Sequence, residues 1–184
     1  YLPLPFSATT TIPDMTASLN DIQQMIPPSP WVVRHLAHIA QSGLVLDLAC
    51  GSGRHARLLA SRGYQVLAVD RNAQALAGLA GLAGIKTAEL DQEGEEWPLA
   101  GQQFAGIVVT NYLWRPRLPD LLALLAPGGV LIYETFMLGN EAFGKPSNPE
   151  FLLRPGELRE MVAALGWREL AFAEGYVASP KPAM

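Results

Sequence analysis

Short apolar runs alternate with amphipathic stretches along most of the chain. Leu44-Val45-Leu46-Asp47-Leu48-Ala49 is almost continuously apolar, the pattern of a strand buried on both faces. The segment 54–62 then places Leu58 and Leu59 on one side of a helix, with Gly63 just past its end. The alternation repeats. It predicts a second strand at 64–69, a helix from Asn72 through Leu82, a third strand at 85–90 and a fourth at 104–110. A helix over about 118–125 follows, with Pro119 near its start. Pro127-Gly128-Gly129 turns the chain into a fifth strand at 130–135, and a helix at 157–165 precedes a sixth strand at 167–173. Ahead of the first strand, 31–40 reads as a helix capped by Ser29, with Pro30 in its first turn and Gly43 closing it. Strands alternating with helices imply right-handed crossovers, hence an α/β fold with a doubly wound, mostly parallel sheet and helices on both faces. Ligands of such sheets bind at the carboxyl ends of the strands.

Residues 1–30 differ in character. They are rich in Pro, Ser and Thr, with a short helix expected over 18–26 and Pro27-Pro28-Ser29-Pro30 ending an arm or lid. The rest, 31–184, reads as one domain. Leu-Ala-Gly occurs three times over 76–84; the period is too short for a solenoid unit, and an Ala/Leu-rich helix with interior glycines is expected.

Composition narrows the chemistry. At 49% hydrophobic and 16% charged, the 184 residues can build a core and cannot be a disordered chain. Lys+Arg number 13 and Asp+Glu 17, for a net charge of -4, so the basic field that nucleic acid or an anionic membrane requires is absent. The single cysteine, Cys50, excludes a disulfide framework and a Cys-cluster metal site. His35 and His38 are i,i+3 neighbours without an evident third ligand, so no metal is expected. No apolar run approaches the ~20 residues of a membrane span. The first residues, Tyr1 to Phe6, lack the basic region of a signal peptide, so the cytoplasm is the expected location.

The informative loop lies between the first strand and the first helix after it: Asp47-Leu48-Ala49-Cys50-Gly51-Ser52-Gly53-Arg54-His55-Ala56. Gly51 and Gly53 let the backbone turn and approach a ligand closely, ahead of free helix N–H groups. Gly51 to Ala56 matches G-x-G-x-x-A, and Asp70 stands at the end of the second strand where a ribose-binding acid belongs. An NAD-dependent oxidoreductase is therefore one reading. Asp47 opposes it. A carboxylate inside the first strand needs a partner, and it repels a pyrophosphate. It favours a ligand carrying an ammonium and a sulfonium, as S-adenosyl-L-methionine does.

Leu46-Asp47-Leu48-Ala49-Cys50-Gly51-Ser52-Gly53 resembles the first motif of class I S-adenosylmethionine-dependent methyltransferases. Asp70, after Val66-Leu67-Ala68-Val69, resembles their second-strand acid. Ala126-Pro127-Gly128-Gly129-Val130-Leu131 resembles their turn into the fifth strand. The resemblance covers about residues 40–175, and the small stand-alone, tellurite-resistance-type members are nearest in size. It implies a Rossmann-like sheet whose antiparallel seventh strand is missing or truncated here, since little chain remains after 173.

The resemblance also implies a cofactor site. Ala49, Cys50, Gly51 and Gly53 would cradle the methionine portion beside Asp47, and Asp70 would take the ribose hydroxyls, with Arg71 along the adenine. An acid at the third strand's end, Glu89 or Asp91 with Leu90 between them, would meet the adenine amino group. Two residues keep the same strand face, so the pattern does not choose. Glu93, Glu95 and Glu96 read as solvated loop. Asn111 and Tyr112 are candidate contacts after the fourth strand; no Pro follows Asn111, which argues against methylation of nucleic-acid bases. Tyr112, Tyr133 and Glu134 are candidates to orient or deprotonate an acceptor. His55 is within reach of a ligand, while Cys50 reads as a small buried residue. The loop 136–150 and the N-terminal arm would form the acceptor pocket, with Trp31, Trp114 and Phe143 as walls and Lys145 and Arg154 available to an acidic substrate. The expectation is methyl transfer to a small-molecule acceptor; a non-catalytic cofactor-binding module is the second alternative. Oligomeric state is not legible.

Overall fold

The computed structural model describes residues 26–179 and 181–184. The helix expected at 18–26 and nearly all of the 1–30 arm lie outside the described residues. Five strands, β1 (Leu44–Leu48), β2 (Gln65–Asp70), β3 (Ile85–Glu89), β4 (Phe104–Thr110) and β5 (Leu125–Glu134), form one parallel sheet in the order β3-β2-β1-β4-β5. The chain steps outward from β1 to β3, then crosses back to β4, so the switch point lies between β1 and β4.

Alternate residues of β1 serve opposite faces. Val45 joins Val66, Ala68, Val108 and Ile132 beneath α1 (Pro30–His35), α2 (Arg54–Ser61) and α3 (Ala73–Ala77). Leu46 and Leu48 join Val69, Ile107 and Val109 on the other face, against Leu121 and Leu124 from α4 (Leu118–Leu122) and the turn after it. This is the doubly covered sheet that the apolar runs imply.

Ser29 caps α1 by accepting from the Trp31 N–H at 3.0 Å, and Asn72 caps α3 by accepting from Gln74 and Ala75. Four expected elements differ. The first helix stops at His35 and continues as a 3-10 turn, Leu36–His38. The helix from Asn72 ends at Ala77, because Gly78 caps it and Gly81 turns left-handed at φ +75°, so the Leu-Ala-Gly repeat is mostly turns. The helix at 118 ends at Leu122. β5 starts at Leu125, and its Pro-Gly-Gly turn is an irregularity inside the strand, with Gly128 at φ +76°.

The sixth strand does not form. A strand needs a ladder partner, and 167–173 runs beside a cavity rather than against β5. It is tied instead to α5 (Glu157–Ala164): Arg159 pairs with Glu169 at 2.7 Å and lies over the Phe172 ring, 4.0 Å from its centre. Among the described residues there is no seventh strand either, and no helix is long and apolar enough to cross a membrane.

Candidate functional site

The turn from β1 into α2 is built from left-handed residues. Ala49 (φ +53°), Gly51 (φ +55°) and Gly53 (φ +78°) wrap the chain over the end of the sheet. The Cys50 N–H donates to the Val69 carbonyl at 3.0 Å, which fastens the loop to β2. A methyl group on Gly53 would stand 2.4 Å from a Leu79 carbon, so this glycine exists for close packing. A methyl group on Gly51 would meet nothing within 4 Å among the described residues, which leave that side of the loop open. Two glycines of one motif thus have separate tasks.

Asp70 closes the loop from the β2 side. Its Oδ2 accepts from the Gly51 N–H at 2.7 Å, and its Oδ1 from the Asn72 N–H at 2.9 Å. Asp47 lies on the α2 face of β1, 1% exposed. Burial pushes its carboxyl up to about 7, opposed by the Ala56 backbone N–H and the Arg54 charge. Its Oδ2 has no partner among the described residues. Cys50 is buried, and burial raises its thiol well above the usual range, which disfavours the thiolate.

Glu89 and Asp91 are both exposed, on either side of half-buried Leu90. The Leu90 N–H is already committed to the Asp70 carbonyl at 3.0 Å, and Asp91 accepts from the Glu93 N–H. The acidic loop beyond is less free than its charge suggested. Glu93 faces Arg71 at 3.6 Å, and the Arg117 guanidinium donates to the Gly94 and Glu95 carbonyls. Gln92 Nε2, Trp97 Nε1 and Tyr112 Oη are buried without partners among the described residues, and all three residues line one water-sized cavity with Leu48 and Trp114.

His55 sits inside the protein. It is 1% exposed, with Nε2 accepting the Ser29 N–H at 3.0 Å and Nδ1 standing 3.3 Å from Thr110 Oγ1. The Ser29 amide can only donate, so the ring proton is on Nδ1 and points to Thr110. Burial holds its pKa down at about 4. His55 is therefore an internal fastener rather than a ligand-facing group.

At the ends of β4 and β5, Asn111 adopts φ +56° and its N–H donates to the Glu134 carbonyl at 2.9 Å. Tyr133 Oη donates to the Tyr112 carbonyl, and burial raises both phenols above their ordinary value. A cavity of about 970 Å³ runs from Asn111, Glu134 and Thr135 down the outer edge of β5, walled by Trp31, His35 and the segment after α5. It does not reach Asp47, Gly51 or Asp70. The expected aromatic walls do not converge. Trp31 faces the large cavity, Trp114 the small one, and Phe143 packs on Tyr176 at the surface. Arg154 lines the large cavity while pairing with Glu157, and Lys145 is exposed. Sequence reasoning missed Arg115, which donates to Glu157 and to the carbonyls of Glu150 and Leu152, pinning the loop after β5. An isolated arginine carries no pattern that foretells this.

A five-stranded parallel sheet in this order, with an acid in β1, a glycine turn and an acid ending β2, defines the class I S-adenosylmethionine-dependent methyltransferase fold. Residues 45–129 match the family model described as "Methyltransferase domain". Over this stretch the chain is similar to methyltransferase domains, and its fold is that of class I methyltransferases. It is 34% identical over 128 residues to a protein-L-isoaspartate O-methyltransferase from Chlorobaculum tepidum, covering 61% of this chain and 55% of that protein. The crystal structure of TehB from Haemophilus influenzae superposes with a TM-score of 0.60 at 26% identity, over 79% of this chain and 53% of that one. A DhpI-SAM-HEP complex shares the fold, with a TM-score of 0.54 at 23% identity, over 74% of this chain and 76% of that one. The chain thus spans about half the length of the first two.

Proposed function

We propose that the chain binds S-adenosylmethionine across the carboxyl ends of β1, β2 and β3, and that it is a methyltransferase acting on a small-molecule acceptor. The observation that carries this reading is Asp47 Oδ2, a buried carboxylate oxygen without a partner among the described residues, beside the open glycine loop. Such an atom calls for a cationic donor and rejects a pyrophosphate, which counts against the NAD reading. Asp70 keeps lone pairs beyond its two backbone bonds, as ribose hydroxyls require. Asp91 suits the adenine amino group better than Glu89. The N–H after Glu89 is spent on Asp70, whereas the N–H after Asp91 belongs to Gln92. Ala49, Cys50 and Gly53 shape the loop, Leu90 underlies the adenine side, and Arg71 flanks it.

The cofactor supplies a methyl group already activated by its sulfonium. The protein's task is alignment, for which effective molarities reach about 10⁵ M or more. Asn111 and Glu134 stand where the cofactor end of the sheet meets the large cavity, and they orient the acceptor. Tyr112 is a poor base: its hydroxyl is buried among Gln92 and Trp97, and burial favours its protonated form. The net charge of -4 favours small acceptors over nucleic acid. Methyl-labelled S-adenosylmethionine incubated with the protein and a metabolite extract tests the reading. Label should appear in a small molecule, and Asp47→Asn or Asp70→Ala should reduce it at limiting cofactor concentration. Cofactor binding without labelling of any fraction would leave the binding-module alternative.

A further inference from the structure

Two consecutive residues of the first turn of α2 hold the chain entering α1. Arg54 Nη1 donates to the Pro27 carbonyl at 3.3 Å, and His55 Nε2 accepts the Ser29 N–H at 3.0 Å. Ser29 therefore has two bonds with different ends: its hydroxyl caps α1, and its amide is held by α2. The other side of the same imidazole meets Thr110, the last residue of β4, next to left-handed Asn111. One buried ring thus touches three elements: the helix that follows the glycine loop, the strand end that leads to Asn111, and the start of the helix that carries Trp31 and His35 to the large cavity. The ring is neutral and has a fixed tautomer, so both bonds hold only while its position is fixed.

We propose that His55 is a positioning residue that couples the cofactor loop to the acceptor-side wall formed by α1. Ordering of the loop and of the α2 N-terminus by a ligand stiffens the imidazole. The imidazole in turn steadies Ser29 and the first turn of α1. This inference rests on the cofactor reading above.

Two variants separate the ring's two bonds. The amide of His55→Gln extends to the Nε2 position and retains an acceptor for Ser29. The amide of His55→Asn reaches only the Nδ1 position, keeping Thr110 and losing Ser29. Hydrogen exchange on the full chain, with and without saturating S-adenosylhomocysteine, reads the coupling. Calorimetry on the same samples reports occupancy. In the wild type, ligand should slow exchange across 29–35 by about fivefold, the scale of one hydrogen bond. His55→Gln should keep that slowing and His55→Asn should lose it. A purely structural role would speed exchange in both variants without altering the response to ligand. Binding heat with unchanged exchange in the wild type, or equal slowing in His55→Asn, overturns the coupling alone. Absence of binding heat in the wild type overturns the cofactor reading and the coupling with it.

Discussion

The Gly51 N–H donates to Asp70 Oδ2 at 2.7 Å, although the two residues stand 19 positions apart. One carboxylate thereby sets the shape of the glycine turn and presents its remaining lone pairs beside it. Asp70→Ala removes both functions. It should weaken S-adenosylhomocysteine binding by roughly 10–100-fold, the range for hydrogen bonds to a charged group. Asp70→Asn keeps one acceptor oxygen and should fall between. Calorimetry on the three proteins checks the order, and equal affinities would refute it.

The two glycines should separate stability from binding. Gly53→Ala drives a methyl group into Leu79 from a left-handed backbone, and should cost about 2–3 kcal/mol of folding stability. Gly51→Ala meets no atom and carries only the left-handed penalty of about 1–2 kcal/mol. It should nevertheless abolish detectable cofactor binding, because the methyl group projects into the open side of the loop. Urea unfolding and calorimetry together read both effects.

Asp47 and His55 shift stability in opposite directions with pH. The folded-state pKa of Asp47 is raised from 3.8 to about 7, so its favourable contribution is complete below 3.8 and lost as pH rises through about 7. That of His55 is lowered from 6.5 to about 4, so its contribution is complete above 6.5 and lost as pH falls toward 4. Asp47→Asn should therefore raise the melting temperature of the unliganded protein at pH 8. A cationic ligand favours the ionised carboxylate, so binding near pH 6 should release a proton. Heats measured in two buffers of different ionisation enthalpy detect that proton, and Asp47→Asn should remove it.

Arg115 holds the loop after β5 through a two-pronged pair with Glu157, at 2.7 and 2.8 Å, and through two carbonyls. Glu157 is held down at about 2 by that pairing. Arg115→Ala should cost about 2 kcal/mol and open 149–153 to proteolysis. Arg115→Lys should not restore it, because an ammonium lacks the planar fork. Resistance to protease equal to the wild type's would count against this role.

Much of the sheet was legible because a doubly covered parallel strand leaves a continuous apolar run; 104–110 is observed with the expected bounds. The Asp47, Gly51, Gly53 and Asp70 cluster was legible because β-strand ends and glycine turns have local signatures. Elements that depend on partners far along the chain were not. The 167–173 segment has strand character in sequence but no ladder partner among the described residues, so it forms no strand. Sequence shows the distance of His55 from the glycines, not the Ser29 amide and Thr110 hydroxyl that enclose it. Where the Leu90 N–H donates, which bears on the proposed preference for Asp91 over Glu89, is a fact of strand register that the local pattern does not carry.

The most direct test is isothermal titration of the wild-type chain with S-adenosylmethionine, with NADH as the control. A one-to-one binding heat for S-adenosylmethionine, with affinity weakened in Asp47→Asn and in Asp70→Ala, and no heat for NADH, is the predicted result. No heat for S-adenosylmethionine or S-adenosylhomocysteine, or saturable binding of NADH at the same loop, would contradict it.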